Sequence, residues 1–204
     1  MDDEAAAQGK VDVSGRSVSG RKTQALLTDY VLASGNETAL LTEAGRLGVA
    51  LRLCYQGMPP ASALAALRDA NGSGAGHLAC LIGDEIAVRK HAQQCRERGA
   101  GVLMHTRDPR KHLTLLPDAL LAPDQCPFDV VVAKFCADKD IAVVFDARTL
   151  VSSGALKRAV RAARLCRHYH VVMLAGSFGR DAIDINTGMG ALVDVLGTRQ
   201  KFRV

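Results

Sequence analysis

The chain has 204 residues, 48% of them hydrophobic and 23% charged, an ordinary globular mixture with ample material for a core, and global disorder is excluded. Its acidic start, Met1-Asp2-Asp3-Glu4, is the opposite of a basic secretory leader, and no apolar run approaches the roughly 18 residues that cross a bilayer, so a cytoplasmic protein without a membrane span is expected. The net charge of +5 is uneven: residues 147–180 carry seven Lys or Arg and no carboxylate, which leaves −2 for the rest, while 4% aromatic content without Trp argues against a platform that stacks single-stranded bases.

Residues 1–20, rich in Ala, Gly, Ser and charge, read as a loosely ordered arm with Val11-Asp12-Val13 as its one short strand candidate, and residues 21–204 as a single domain. From Asn36 the chain alternates. Asn36 is placed to cap a helix with Leu40, Leu41, Ala44 and Leu47 on one face, Gly48 ends it, and Val49–Tyr55 follows as a strand. A helix from Pro60 bearing Leu64 and Leu67 stops at Asn71-Gly72, before the strand His77–Ile82. Asp84–Arg98 is a helix with Val88, Ala92 and Cys95 on one face, leading through Gly99-Ala100-Gly101 into the strand Val102–His105. Ala119–Ala122 is a short strand, and Phe128–Asp138 is a helix with Phe128, Val131, Val132, Phe135 and Cys136 along its stripe. Ile141–Phe145 is almost pure β-former. Ser152 or Ser153 caps a basic helix, Ala155–Arg167, ahead of the strand His170–Ala175 and a last helix, Met189–Leu196.

Strands that start about every 20 to 35 residues with helices between them predict a parallel α/β sheet, and the lack of a glycine fingerprint in the first unit favours a β/α barrel over a dinucleotide-binding sheet. Barrels of this kind usually take about 250 residues, so a trimmed or distorted TIM-like barrel of six to eight parallel strands is expected.

Within the basic helix, Lys157, Arg161, Arg164 and His168 share one face, opposite Leu156, Ala159, Val160 and Ala163, and Arg158 flanks them. The plain reading is a solvated outer face. Such faces, however, ordinarily mix signs for i,i+4 support, and this helix contains no Asp or Glu. Like charges one turn apart repel, and a polyanion that releases counterions on binding relieves them. Arg148, Lys157, Arg158, Arg161, Arg164, Arg167 and Arg180 are accordingly the candidate nucleic-acid-binding residues, RNA-binding ones if the family resemblance given below holds.

The other chemistry-bearing groups point less clearly. Six scattered cysteines, none at zinc-knuckle or redox spacing, read as buried small hydrophobes. His168-Tyr169-His170 has the alternate spacing of metal-dependent hydrolases but stands at the entrance of a strand, whereas barrels build sites at strand C-termini. Just beyond strand ends fall Asp84, Glu85, His105, Asp146, Arg148, Ser177, Arg180 and Asp181, a mixed rim that suits a metal and a phosphate ester or is ordinary loop polarity. No catalytic residue, metal or cofactor is assigned. Asn71–Gly76 precedes a strand and lacks the lysine of a phosphate loop, so it is a turn.

The stretch Phe128–Gly197 resembles the ribonuclease P protein component 3 family. The likeness lies in the order of a helix, Val132–Ala137, then Ile141-Ala142-Val143-Val144-Phe145-Asp146-Ala147-Arg148, a basic helix ending Arg164-Leu165-Cys166-Arg167-His168-Tyr169, the strand Val171–Leu174 and Val195-Leu196-Gly197. It departs from the family in Leu174–Ser177, where a Ser-Ser-Gly-Ala turn is usual, and in Asp184-Ile185-Asn186, where Asp-Leu-Arg is usual. The resemblance implies a non-catalytic barrel subunit of ribonuclease P, in which RNA performs the hydrolysis that matures the 5′ end of precursor tRNA. It also implies three partners: the catalytic RNA, precursor tRNA and a small ferredoxin-like protein subunit. A nuclear or nucleolar location would replace a cytoplasmic one in a eukaryote. The alternatives are a metal-dependent phosphoesterase with His105 and Asp146 as its best ligands, and a small-molecule-binding barrel without an RNA role.

Overall fold

The computed structural model describes residues 28–57, 59, 61–63, 65–66, 78–181 and 196. Within them the chain runs β1 (Thr28–Leu32), α1 (Glu37–Leu47), β2 (Ala50–Gln56), β3 (Leu78–Gly83), α2 (Glu85–Glu97), β4 (Gly101–Met104), the single turn α3 (Pro109–His112), β5 (Ala119–Leu121), α4 (Val130–Asp138), β6 (Ala142–Asp146), α5 (Ser153–His168) and β7 (Met173–Gly176). Three 3₁₀ turns lie between them, at Leu113–Leu115, Pro123–Gln125 and Ala147–Val151.

All seven strands are parallel and stand in sequence order, β1 to β7. The sheet curls until its edges meet: the Phe178 N–H donates to the Tyr30 carbonyl at 2.7 Å, and the Leu32 N–H to the Gly179 carbonyl at 2.9 Å. The Ser177 N–H adds a bond of 2.7 Å to Asp29 Oδ1. The result is a TIM-like β/α barrel of seven strands, within the expected range. The seam needs Gly176, because a Cβ there would sit 2.5 Å from Tyr30 Cβ and 2.8 Å from the Phe178 ring.

Strand parity divides the apolar residues in two. Val31, Leu51, Leu53, Leu81, Val102, Leu120, Val143 and Phe145 face outward onto the helices, meeting Leu40, Ala44, Val88, Cys95, Val132, Cys136, Ala159, Ala163 and Cys166. Tyr30, Leu32, Cys54, Cys80, Ile82, Leu103, Ala119, Leu121, Val144 and Phe178 face inward and fill the barrel. Among them Cys54, Cys80 and Ala119 are small, which suits the narrow interior of a barrel of few strands. The cysteines belong to this packing: five are buried, Cys126 is partly so, and all six are free thiols.

Local chemistry sets the helix starts. Asp84 Oδ1 accepts the Ala87 N–H at 2.9 Å, Asp129 Oδ1 accepts those of Val131 and Val132 at 3.0 Å, and Ser152 Oγ accepts that of Ala155 at 3.1 Å. Gly48, left-handed at φ 66°, ends α1.

Several expectations need correction. Asn36 does not cap α1 through its side chain. Its Oδ1 instead accepts the Ser34 N–H at 3.0 Å while Nδ2 donates to the Arg180 carbonyl, so it ties the first loop to the end of the barrel seam. The structure adds β1, which apolar periodicity does not predict, because Thr28-Asp29-Tyr30-Val31-Leu32 is of mixed polarity. β7 starts at Met173, not His170, since His170 at φ 60° forms the turn that follows α5. Leu47 and Val131 are exposed rather than part of their helices' buried stripes.

Val11–Val13, the Asn71–Gly76 turn and all of the helix Met189–Leu196 except Leu196 lie outside the described residues. Leu196 itself is helical and buried. Of the helix expected from Pro60, residues 61–63 and 65–66 are described and are helical. Among the described residues no helix is long and apolar enough to cross a membrane.

Candidate functional site

The inward parity of the strands carries polar residues to the C-terminal mouth of the barrel. Gln56 ends β2, Asp146 ends β6, and His105 follows β4 with the ladder still intact, its N–H donating to the Gly83 carbonyl at 2.9 Å. With Ile82, Leu121, Ala122, Gln125, Arg148 and Thr149 they line an opening of about 190 Å³. Its polar groups are largely engaged with one another. Arg148 reaches back to Asp146 with Nε at 3.0 Å and Nη2 at 2.6 Å, and the Arg148 backbone N–H bonds the same carboxylate at 2.9 Å. The guanidinium also lies 5.6 Å from the centre of the Phe178 ring. His105 Nε2 meets Gln125 Oε1 at 3.0 Å.

The rest of the expected rim disperses into structural roles. Asp84 is the cap of α2, Glu85 stands 4.0 Å from His112 Nδ1, and Ser177 is buried in the barrel seam, where its Oγ accepts the Gly179 N–H at 3.3 Å. Arg180 and Asp181 are exposed beyond the seam. The structure thus brings together His105, Asp146 and Arg148 from that set. It adds Gln56, Gln125 and Thr149, which sequence reasoning missed. Gln56 was legible as the last inward position of β2 by period-two counting from Cys54. A metal ligand set does not assemble: among the described residues no three His, Cys, Asp or Glu side chains come together, and His105 and Asp146 are each bound to a neighbouring side chain.

The second candidate surface is α5. Its buried side, Ala155, Ala159, Ala162, Ala163 and Cys166, packs on the barrel, with Leu156 and Val160 half-buried. Alanines let the helix approach the sheet closely, and the cations are left outside. Lys157, Arg161 and Arg164 are exposed and, with Leu156 and Val160, line an open groove of about 350 Å³. None of the three has a carboxylate partner among the described residues. His168 is exposed at the end of the same helix, edge-on to the Tyr169 ring at 4.6 Å, and Lys134 of α4 lies 5.7 Å above that ring.

Three other candidates make hydrogen bonds within the chain, although Arg158 and Arg167 remain exposed. Arg158 Nε donates to the Asp124 carbonyl at 2.7 Å, Arg167 Nη1 to the Leu196 carbonyl, and Arg148 pairs with Asp146. Beneath Arg158, the carboxylate of Asp124 is buried, and burial pushes its pKa up against the opposing pull of the Thr149 hydroxyl and the Arg158 guanidinium.

No protein-family model matches the chain, and no curated protein matches it by sequence. Among solved structures it is similar to a histidinol phosphate phosphatase from Lactococcus lactis, solved with zinc, L-histidinol and phosphate, at a TM-score of 0.56 and 11% identity over 85% of this chain and 94% of that one. It is also similar, at a TM-score of 0.42 and 14% identity over 74% of this chain and 35% of that one, to the carboxyl transferase domain of Rhizobium etli pyruvate carboxylase with pyruvate. The first likeness agrees with the seven-stranded barrel, and the fold is what it establishes.

Proposed function

We propose that this chain is a non-catalytic, RNA-binding barrel subunit of a ribonuclease P, supporting the catalytic RNA in the 5′ maturation of precursor tRNA and pairing with a small ferredoxin-like protein subunit. The observation that carries the RNA part is the outer face of α5. Lys157, Arg161 and Arg164 stand at one-turn spacing, exposed, with no carboxylate partner among the described residues. Phosphates spaced along an RNA backbone supply the missing partners, and released counterions supply the driving force. The assignment to ribonuclease P rests on the order of elements over Phe128–Gly197. The test is binding of a duplex RNA across a salt series together with reconstitution of precursor-tRNA processing. A shallow salt dependence that is the same with and without the three side chains overturns the reading.

A second reading, a metal-dependent phosphoesterase at the barrel mouth, is favoured by the fold shared with the zinc-containing phosphatase and by His105 and Asp146 at the strand ends. Against it, both groups are engaged by Gln125 and Arg148, and no third donor joins them among the described residues. Turnover of a phosphodiester or phosphomonoester with added manganese, lost in His105→Ala, would establish it in place of the first.

A further inference from the structure

The opening at the barrel mouth has no task in that reading, yet it is built like a ligand site. Its floor is aliphatic, formed by Ile82, Leu121 and Ala122, and all three are buried. Its rim carries two amides, Gln56 and Gln125, beside the imidazole of His105. Gln125 and His105 hold each other, whereas the exposed Gln56 side chain has no side-chain hydrogen bond among the described residues. The formal charges of Asp146 and Arg148 cancel in their bidentate pair, so a free anion gains little here.

Size narrows the occupant. Pockets for drug-sized ligands run to roughly 300–1,000 Å³, so an opening of 190 Å³ admits a single small ring system and leaves any attached sugar and phosphate outside. A neutral planar ring with a donor–acceptor edge is what aliphatic walls and paired amides recognise. Amide side chains read the edges of bases in this manner, and apolar side chains hold their faces.

We propose that the mouth is a seat for one unstacked nucleobase of an RNA strand, with its ring against Ile82 and Leu121 and its hydrogen-bonding edge against Gln56 and Gln125. This rests on the RNA reading for its biological source but is tested apart from it. The base enters from outside while its backbone stays at the rim. An aromatic platform is not required, since the walls here are aliphatic.

The experiment titrates the full chain with free nucleosides and, separately, with ribose 5-phosphate, following the His105 ring and the glutamine side-chain amides by NMR. Nucleosides at millimolar concentration are expected to shift these signals and ribose 5-phosphate is not. Leu121→Trp, which fills the floor, is expected to abolish the nucleoside shifts while leaving the salt dependence of duplex-RNA binding unchanged. Should that variant not fold, Gln56→Ala, at an exposed side chain, is expected to weaken nucleoside binding about fivefold. Signals that stay fixed under nucleoside, or that move equally with ribose 5-phosphate, overturn the seat and leave the α5 reading standing. A duplex-RNA salt slope that is the same with and without the Lys157, Arg161 and Arg164 side chains overturns the α5 reading and leaves the seat standing.

Discussion

Two charged regions of this barrel, joined by the five-residue 3₁₀ segment Ala147–Val151, treat charge in opposite ways. At the mouth, Asp146 occupies an inward strand position that is 3% exposed, and burial forces it to hold Arg148 with both oxygens. On the outer face of α5, Lys157, Arg161 and Arg164 stay hydrated, and nothing in folding demands a partner for them. Charge density along the sequence therefore does not mark a binding surface by itself. Of the seven cations of residues 147–180, Arg148 is consumed by an ion pair, Arg158 and Arg167 stay exposed while each bonds a backbone carbonyl, and Lys157, Arg161 and Arg164 on α5, with Arg180 beyond the seam, are left outside.

The contrast yields paired expectations, and the largest concerns α5. Replacing Lys157, Arg161 and Arg164 together by Gln removes three hydrated charges and no buried contact. Thermal stability should hold within about half a kcal/mol per site, because exposed substitutions away from special features change little. The slope of log affinity for duplex RNA against log salt should flatten by about two to three units, with processing by the reconstituted complex falling in parallel. A folded triple variant with the wild-type slope would place these side chains with the merely solvated ones.

The mouth should answer with the reverse pattern. Arg148→Ala leaves the nearly buried Asp146 carboxylate with one backbone N–H, and a cost of about 2 kcal/mol in denaturant unfolding is expected, moderated by the arginine's own half-exposure to water. Its effect on the RNA salt slope should be smaller than one contact. Should Arg148→Ala flatten the slope while sparing stability, the division between consumed and free cations would be wrong.

Much of this was legible beforehand. Six of the seven strands and the main helices followed from apolar runs and 3.6-residue stripes, since Val, Leu and Ile at helical or strand spacing have few other ways to be buried. The cap at Ser152, one of the two serines expected to supply it, followed from local chemistry that tertiary contacts did not override. What failed depended on distant partners. β1 is a strand because β2 and the seam after β7 supply its hydrogen bonds, and Asn36 is drawn from helix capping to the Arg180 carbonyl, 144 residues away in sequence. The α5 stripe could be read as a set of spacings, but which arginines would also bond the chain itself depended on carbonyls at Asp124 and Leu196. The mouth was hidden for the same reason: Gln56, Gln125 and Thr149 come from three separate segments, and only barrel closure brings them together.

Asp124 offers a test of what burial does to a carboxylate. Its carboxyl is pushed up by burial, so the folded chain binds a proton there more tightly than the unfolded chain does. Its contribution to stability is then greatest below the unfolded carboxylate range and declines as pH rises through the raised folded value. Asp124→Asn keeps the shape without the titration, so the stability difference, variant minus wild type, should increase between about pH 4 and pH 8. Urea unfolding across that range measures it. A difference that is flat with pH, or that decreases, would mean that the Asp124 carboxylate is satisfied in the folded protein.

The smallest effect tests the hinge between the two regions. Ser152 follows directly on the 3₁₀ segment that carries Arg148 and caps the helix that carries Lys157, its Oγ accepting the Ala155 N–H at 3.1 Å. Ser152→Ala should cost about 1 kcal/mol, the usual loss for an N-cap. The loss is local, since N-terminal fraying reaches the first turn and stops short of Arg161 and Arg164. Lys157 sits at the edge of that turn, so the RNA salt slope should fall by less than one unit, well below the triple variant. Ser152→Asp supplies the same acceptor and suits the helix dipole, so it should restore stability. It also sets a negative charge near the basic stripe, so it should not restore the salt slope. Recovery of stability without recovery of RNA binding would show that α5 is held by its cap and used through its charge, two properties that a single substitution at the helix start separates.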